Sequence, residues 1–359
     1  MSFPAASARL IPVPRFTRRA GLGALVAAGL TACTGKSQDS AAETPQTAET
    51  TESPADVYTR HIDLSYAENV GRGHLLDLYV PSVGEGPFPV VLFQAGSAFG
   101  SDDTKSTSSE LSGATTAEGL ADRWAPHGYA VVGVNVRSSD QAKFPAQVHD
   151  IKAAIRWLRA HAGEYNLDKS RFAAMGTSSG GWGAVMAGVS AGSDFLEGDL
   201  GNASESSAVQ AVIDLFGPTD FLSMDEHRIR GGQKHNPASS PESQLMGFAI
   251  QSDPKATRRA NPTTYVTSSA PPIWIAHGST DALVPYNQSQ LLFAAYNNAG
   301  APATFTLVQD VGHTDAYLSG ADPAPSVVVH TSRNGQVSRS DSPAPTFDAL
   351  LAFLDQHLQ

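Results

Sequence analysis

Seven apolar runs of strand length alternate along the chain with stretches of helical periodicity, and this alternation limits the possible folds more than any other feature. The runs are LLDLYV (75–80), PVVLFQ (89–94), YAVVGVNV (129–136), RFAAMG (171–176), VQAVIDLF (209–216), PIWIAHG (272–278) and ATFTLVQ (303–309). Most are continuous rather than alternating, the pattern of strands covered on both faces. Between them, PAQVHDIKAAIRWLRAHAGEY places Val148, Ile151, Ala154, Ile155 and Leu158 three and four residues apart, and NQSQLLFAAYNNAG stops at Gly300 as a helix does. Repeated strand-then-helix predicts an α/β fold, a mostly parallel sheet with helices on both faces. Two stretches depart from it. Residues 217–271 are rich in Pro, Ser, Asn and charge, with weak periodicity, and read as a cap inserted over the sheet; residues 327–340 read as an added hairpin turning at Asn334-Gly335.

Composition removes several classes of partner. Lys and Arg number 24 against 35 Asp and Glu, a formal charge of −11, and no basic block interrupts the acidic balance, so nucleic acid is a poor partner. A single cysteine supports neither a disulfide framework nor a Cys-rich zinc site, and the 11 histidines are scattered, so no metal site is expected.

The N-terminal region reads as a targeting segment. Arg15, Arg18 and Arg19 precede an apolar run from Ala20 to Leu30 and then Leu-Thr-Ala-Cys ending at Cys33. The run is about half the length that spans a bilayer, so residues 1–32 are expected to be an export signal rather than a permanent anchor. The paired arginines resemble a twin-arginine signal, although an ordinary secretory signal also carries such pairs. The tetrapeptide ending at Cys33 resembles the lipobox of bacterial lipoproteins, which implies lipidation of Cys33 and a place in the cell envelope, either lipid-anchored at the outer face of the cytoplasmic membrane or secreted. Residues 33–56 lack large apolar side chains after the cysteine and are expected to be a disordered tether. The globular body is expected at 57–359, with 217–271 as its cap.

Chemistry in a parallel sheet collects beyond the carboxyl ends of the strands. Gly-x-Ser-x-Gly occurs twice, centred on Ser178 and on Ser190. Only Ser178 stands between a strand, RFAAMG, and a small-residue helix, GGWGAVMAG, the setting of a sharp bend that lifts a serine hydroxyl above the sheet. Ser190 follows that helix and reads as its terminator. A serine hydroxyl needs a base, and the base an acid to orient it, in the chain order Ser, Asp or Glu, His. His313 lies just past ATFTLVQ, whereas His330 falls in the hairpin and His357 in the terminal amphipathic helix. Asp281 lies just past PIWIAHG; Asp310 and Asp220 are rival acids. His277 precedes Asp281 and ends a buried strand, which suits a packing or hydrogen-bonding role. Amide donors for a developing oxyanion are available at Ser179 and in the loop AGSAFG (95–100).

The stretches FPAQVHDIKAAIRWLRAHAGEYNLDKSRFAAMGTSSGG, FGPTDFLSMD, SPES-x-L-x-G at 240–247, ANPTTYV and HGSTDALVPYNQS occur in one order. Together they make the chain from about Val57 onward resemble the α/β-hydrolase carboxylesterases of the hormone-sensitive-lipase-like group, and within it the bifunctional feruloyl and acetyl-xylan esterases. The resemblance implies the α/β-hydrolase fold with about eight strands and a small inserted cap. It also implies Ser178 as nucleophile, His313 as general base and acid, Asp281 as orienting acid, and the amides of Ser97, Ala98 and Ser179 as the oxyanion hole. No metal or organic cofactor is required. The implied substrate is a small-molecule or polysaccharide ester.

Against the family pattern, Ala95 stands where histidine is usual and Ser97 where glycine is usual. Thr177 and Ser179 replace an acid and an alanine, and Trp182 replaces a histidine. Two other readings keep the same residues: a prolyl-oligopeptidase-like serine peptidase, and an inactive hydrolase-fold lipoprotein that only binds.

Overall fold

The computed structural model describes residues 57–67, 71–106, 115–320 and 324–359. The signal at 1–32, Cys33 and the tether to 56 lie outside the described residues.

The strands in chain order are β1 (Tyr58–Ser65), β2 (Leu75–Pro81), β3 (Phe88–Gln94), β4 (Ala130–Val134), β5 (Leu167–Thr177), β6 (Ala211–Leu215), β7 (Ile273–Gly278), β8 (Ala303–Val308), β9 (Val327–Arg333) and β10 (Gln336–Ser340). The helices are α1 (Ala117–Trp124), α2 (Ala146–Ala160), α3 (Ser179–Val189), α4 (Asp194–Glu197), α5 (Met224–His227), α6 (Pro241–Met246), α7 (Pro254–Thr257), α8 (Asn287–Ala299) and α9 (Phe347–Leu358). The strands form one sheet in the order β1-β2-β4-β3-β5-β6-β7-β8-β9-β10. From β4 to β8 all neighbours are parallel, and the remaining pairs on both flanks are antiparallel.

Ten strands among the described residues exceed the eight or so expected, for two reasons. Strand β1 carries mostly exposed side chains, so it gives no apolar run to read; main-chain pairing to β2 defines it. The hairpin does not stand apart: β9 pairs residue by residue with β8 and prolongs the sheet. Its turn has Asn334 at φ +50° and Gly335 at φ +73°, the left-handed pair that suits the twist of a two-residue hairpin.

The two-residue period of the buried strands divides the core. In β3, Val90 and Leu92 join one cluster, while Val91 and Phe93 join the other. The first cluster packs on α2, α3 and α8, through residues such as Ile151, Val185 and Leu292; the second packs on α1 and α9, through Leu120 and Leu354. A third cluster lies under the segment between β6 and β7, where Phe221, Met224, Leu245 and Ile250 pack on Phe99 and Trp182. That cluster seats α5 to α7 against the loop after β3.

Candidate active site

The chain leaves β3 toward β4 on one side of it and returns to β5 on the other, so the loops after β3 and β5 flank a crevice at the carboxyl edge of the sheet. Ser178 is the single residue between β5 and α3, at φ +53° and ψ −125°. That conformation is strained for a residue with a Cβ, and hydrogen bonds hold it there. The Ser178 N–H donates to Leu215 O at 2.9 Å, and the Trp182 N–H donates to Ser178 O at 3.1 Å. The bend also needs glycine at close approaches: a Cβ on Gly176 would collide with the backbone of Gly180, and one on Gly180 with the carbonyl of Gln94.

The loops after β7 and β8 bring Asp281 and His313 to the same edge. His313 Nε2 lies 3.0 Å from Ser178 Oγ, and His313 Nδ1 lies 2.6 Å from Asp281 Oδ2. The edge of Phe216, itself at φ +51°, packs on the imidazole with centroids 4.7 Å apart. Asp281 is 1% exposed and gathers four donors. Its Oδ1 accepts the N–H groups of Leu283 and Val284 at 2.8 and 2.9 Å, and its Oδ2 faces His313 and, at 3.2 Å, His277 Nε2. Burial by itself would raise the acid, but the hydrogen bonds from His277 and His313 outweigh it and hold the carboxyl well below the usual range.

His277 supports that carboxylate. Its Nε2 faces two acceptors, Asp281 Oδ2 and Val284 O at 2.9 Å, so Nε2 carries the proton; Nδ1 then accepts from the Ser289 hydroxyl at 2.7 Å.

The rivals lie elsewhere. Asp310 occupies a left-handed turn position at φ +59°. Asp220 caps the turn at Phe221, accepting from Leu222 N–H at 3.2 Å and from Asn261 Nδ2 at 2.6 Å. Ser190 ends α3 with its hydroxyl donated to Met186 O, His330 is in β9, and His357 packs on Phe353 within α9. Trp182, at the position where the family has histidine, is 1% exposed and donates Nε1–H to Ala260 O at 2.7 Å within the third cluster.

One expected donor is differently engaged. The Ser97 N–H donates to the Ser179 hydroxyl at 2.9 Å, so in this structure it is not offered to a substrate oxygen. The Gly96 N–H likewise donates to Thr177 Oγ1 at 3.0 Å. The two departures beside Ser178 therefore fasten the altered loop, a pairing across more than 80 residues that the sequence does not announce. Of the three expected donors, Ala98 and Ser179 border the cavity beside Ser178 and His313. Ser179 opens α3, so its N–H has no intrahelical acceptor. Ala98 and Phe99 take φ +51° and +62°, left-handed values that carry the loop around the serine.

The cavity has a volume of about 120 Å³, walled by Gln233, His235 and Glu242 from the segment between β6 and β7 and by Leu283 from the loop after β7. His235 and Glu242 were not singled out by sequence reasoning. The signal available was the SPES-x-L-x-G stretch itself, which contains Glu242. Among the described residues no cluster of three or more His, Cys, Asp or Glu is arranged to hold a metal ion.

A mostly parallel sheet flanked by helices, with a serine at a strained bend after its central strand and a histidine and a carboxylate beyond two neighbouring strands, defines an α/β-hydrolase. The chain belongs to the BD-FAE family, which it matches over residues 76–296. It is 35% identical to a truncated form of a carbohydrate esterase from gut microbiota, with a TM-score of 0.65 over 73% of this chain and 92% of that one. It is 31% identical to a bifunctional GH43-CE protein of Bacteroides eggerthii, with a TM-score of 0.64 over 83% of this chain and 38% of that one. Among curated proteins, Esterase LipC of Mycobacterium tuberculosis is 26% identical over 257 residues, 71% of this chain and 60% of LipC. Esterase LipQ of the same organism is 31% identical over 183 residues, 51% of this chain and 41% of LipQ. The chain thus spans between about two-fifths and three-fifths of these curated relatives.

Proposed function

We propose that this chain is a serine carboxylic ester hydrolase that works through an acyl-enzyme on short-chain esters of carbohydrates. The observation that carries the reading is the continuous relay Ser178 Oγ, His313 and Asp281, with contacts of 3.0 and 2.6 Å, opening into one small cavity. In the first step Ser178 Oγ attacks the ester carbonyl carbon while His313 Nε2 takes its proton, and Asp281 steadies the imidazolium. The oxygen that gains charge meets the amides of Ala98 and Ser179, a contribution of roughly 10²–10³ in rate per well-placed donor. His313 then gives the proton to the departing alcohol. In the second step it draws a proton from water, which attacks the acyl carbon, and it returns that proton to Ser178 Oγ as the bond to the acyl group breaks and the carboxylic acid leaves.

A cavity of about 120 Å³ is well below the roughly 300–1,000 Å³ of pockets that enclose drug-sized ligands, which favours acetyl-sized acyl groups. The alcohol class is suggested by the carbohydrate esterase named above, 35% identical over 92% of its length. Export and anchoring through Cys33 are part of the same proposal and rest on the sequence of residues 15–33.

The test is Ser178→Ala on p-nitrophenyl acetate. Turnover is expected to fall by roughly 10⁴-fold or more with an unchanged melting temperature, and labelling by a fluorophosphonate probe to vanish. Undiminished hydrolysis by the variant would refute the assignment.

A further inference from the structure

The cap contributes one buried polar group that the acyl-transfer steps do not use. His235 is 1% exposed, and its Nδ1 lies 3.0 Å from Glu242 Oε2, while its Nε2 is buried with no hydrogen-bond partner. His235 and Glu242 border the same cavity as Ser178 and His313. Several bonds fix the position of the ring. The His235 N–H donates to Asp225 Oδ1 at 2.7 Å, and the Ser240 hydroxyl donates to His235 O at 2.6 Å. Ser240 also caps α6, whose first turn carries Glu242. A buried polar atom without a partner is rare in native proteins, and this one belongs to a ring that borders the cavity, where a bound group could supply the missing partner.

We propose that His235 Nε2, oriented by Glu242, is a specificity determinant that reads a hydroxyl on the alcohol part of the substrate, next to the scissile ester; the inference rests on the hydrolase reading above. With Nδ1 engaged by the carboxylate, Nε2 is the ring atom left for a partner, which an alcohol hydroxyl satisfies and a hydrocarbon cannot. The smallness of the cavity keeps that hydroxyl close to the ester, on the same sugar ring. An acetyl group has no hydroxyl to offer, so the contact falls on the alcohol side. A site built to hydrogen-bond a substrate hydroxyl discriminates against an analogue lacking it far more than an apolar wall discriminates a methylene.

The experiment compares mono-acetylated methyl xyloside with cyclohexyl acetate, a ring ester of similar size without hydroxyls. The quantity read is the ratio of their kcat/KM values. Wild type is expected to favour the sugar ester by about 30-fold or more, and His235→Leu or His235→Asn to reduce that ratio at least about tenfold. His235→Gln, whose amide reaches the place of Nε2, is expected to restore part of it. Acetylated deoxy-xylosides, tested on wild type alone, read the same contact without any variant having to fold: removal of the hydroxyl next to the ester should cost about 30-fold in kcat/KM. A ratio unmoved by the substitutions, or deoxy and parent sugars hydrolysed alike, overturns the role of His235 while leaving the hydrolase reading intact. A wild type that cleaves neither ester and takes no fluorophosphonate label removes both.

Discussion

Replacing Asp281 by Asn tests the relay at its most constrained atom. The carboxylate serves four donors, two on each oxygen, and an amide has only one oxygen. If the amide NH2 is placed against Leu283 and Val284, two backbone N–H groups that cannot shift their protons lose their acceptor in a buried site, at about 1–3 kcal/mol each. If it is turned toward the histidines, His277 keeps Val284 O as its acceptor, and His313 relieves the clash by moving its proton from Nδ1 to Nε2. The second orientation is favoured, and it points a proton instead of a lone pair at Ser178 Oγ. The expected result is a fall in kcat of about 10⁴-fold, equivalent to about 5 kcal/mol in barrier, with KM little changed. Stopped-flow hydrolysis of p-nitrophenyl acetate measures the acylation step directly, and a thermal melt checks the fold. A variant that keeps kcat within about tenfold of wild type while folded would show that the tautomer of His313 is not set by Asp281.

Two further outcomes follow from the surroundings of the bend. Burial pushes Asp214 up to about 6, against the opposing effects of the Gly217 amide and His277, and leaves its Oδ2 unpartnered. The unfolded chain therefore releases this proton at lower pH than the native state does, so the contribution to stability is lost as pH rises from about 4 to about 6. Relative to Asp214→Asn, wild type should lose on the order of 3 kcal/mol between pH 4 and pH 7, read as a change in the difference of melting temperatures; a constant difference refutes the shift. Asp281 acts in the opposite sense: its carboxyl is depressed, so its contribution is present above the unfolded value and lost as the solution is acidified. Gly180→Ala puts a methyl group against the Gln94 carbonyl, where the chain enters the oxyanion loop. Despite the better helix propensity of alanine, kcat/KM should drop by about 10²-fold or more as the donors move, and an active variant of normal stability would contradict the close approach.

The sequence by itself determined what depends on neighbours along the chain. Continuous apolar runs marked β2 to β8, helical spacing marked α2 and α8, and glycines around Ser178 marked the one place where a strand turns sharply into a helix. Chain order and strand ends offered His313 as base with Asp281, Asp310 and Asp220 as possible acids, and the family resemblance implied Asp281 among them. Tertiary structure decided what depends on residues far apart. Strand β1 owes its existence to pairing with β2 rather than to any apolar pattern. The Ser97 amide is spent on the Ser179 hydroxyl, a side chain from another loop, which no spacing rule foresees. His235 and Glu242 looked like polar residues of an irregular insertion until the cluster of Phe99, Trp182 and Phe221 seated that insertion over the serine. Periodicity is local and survives in one dimension; a hydrogen bond between loops exists only once packing has chosen which surfaces meet.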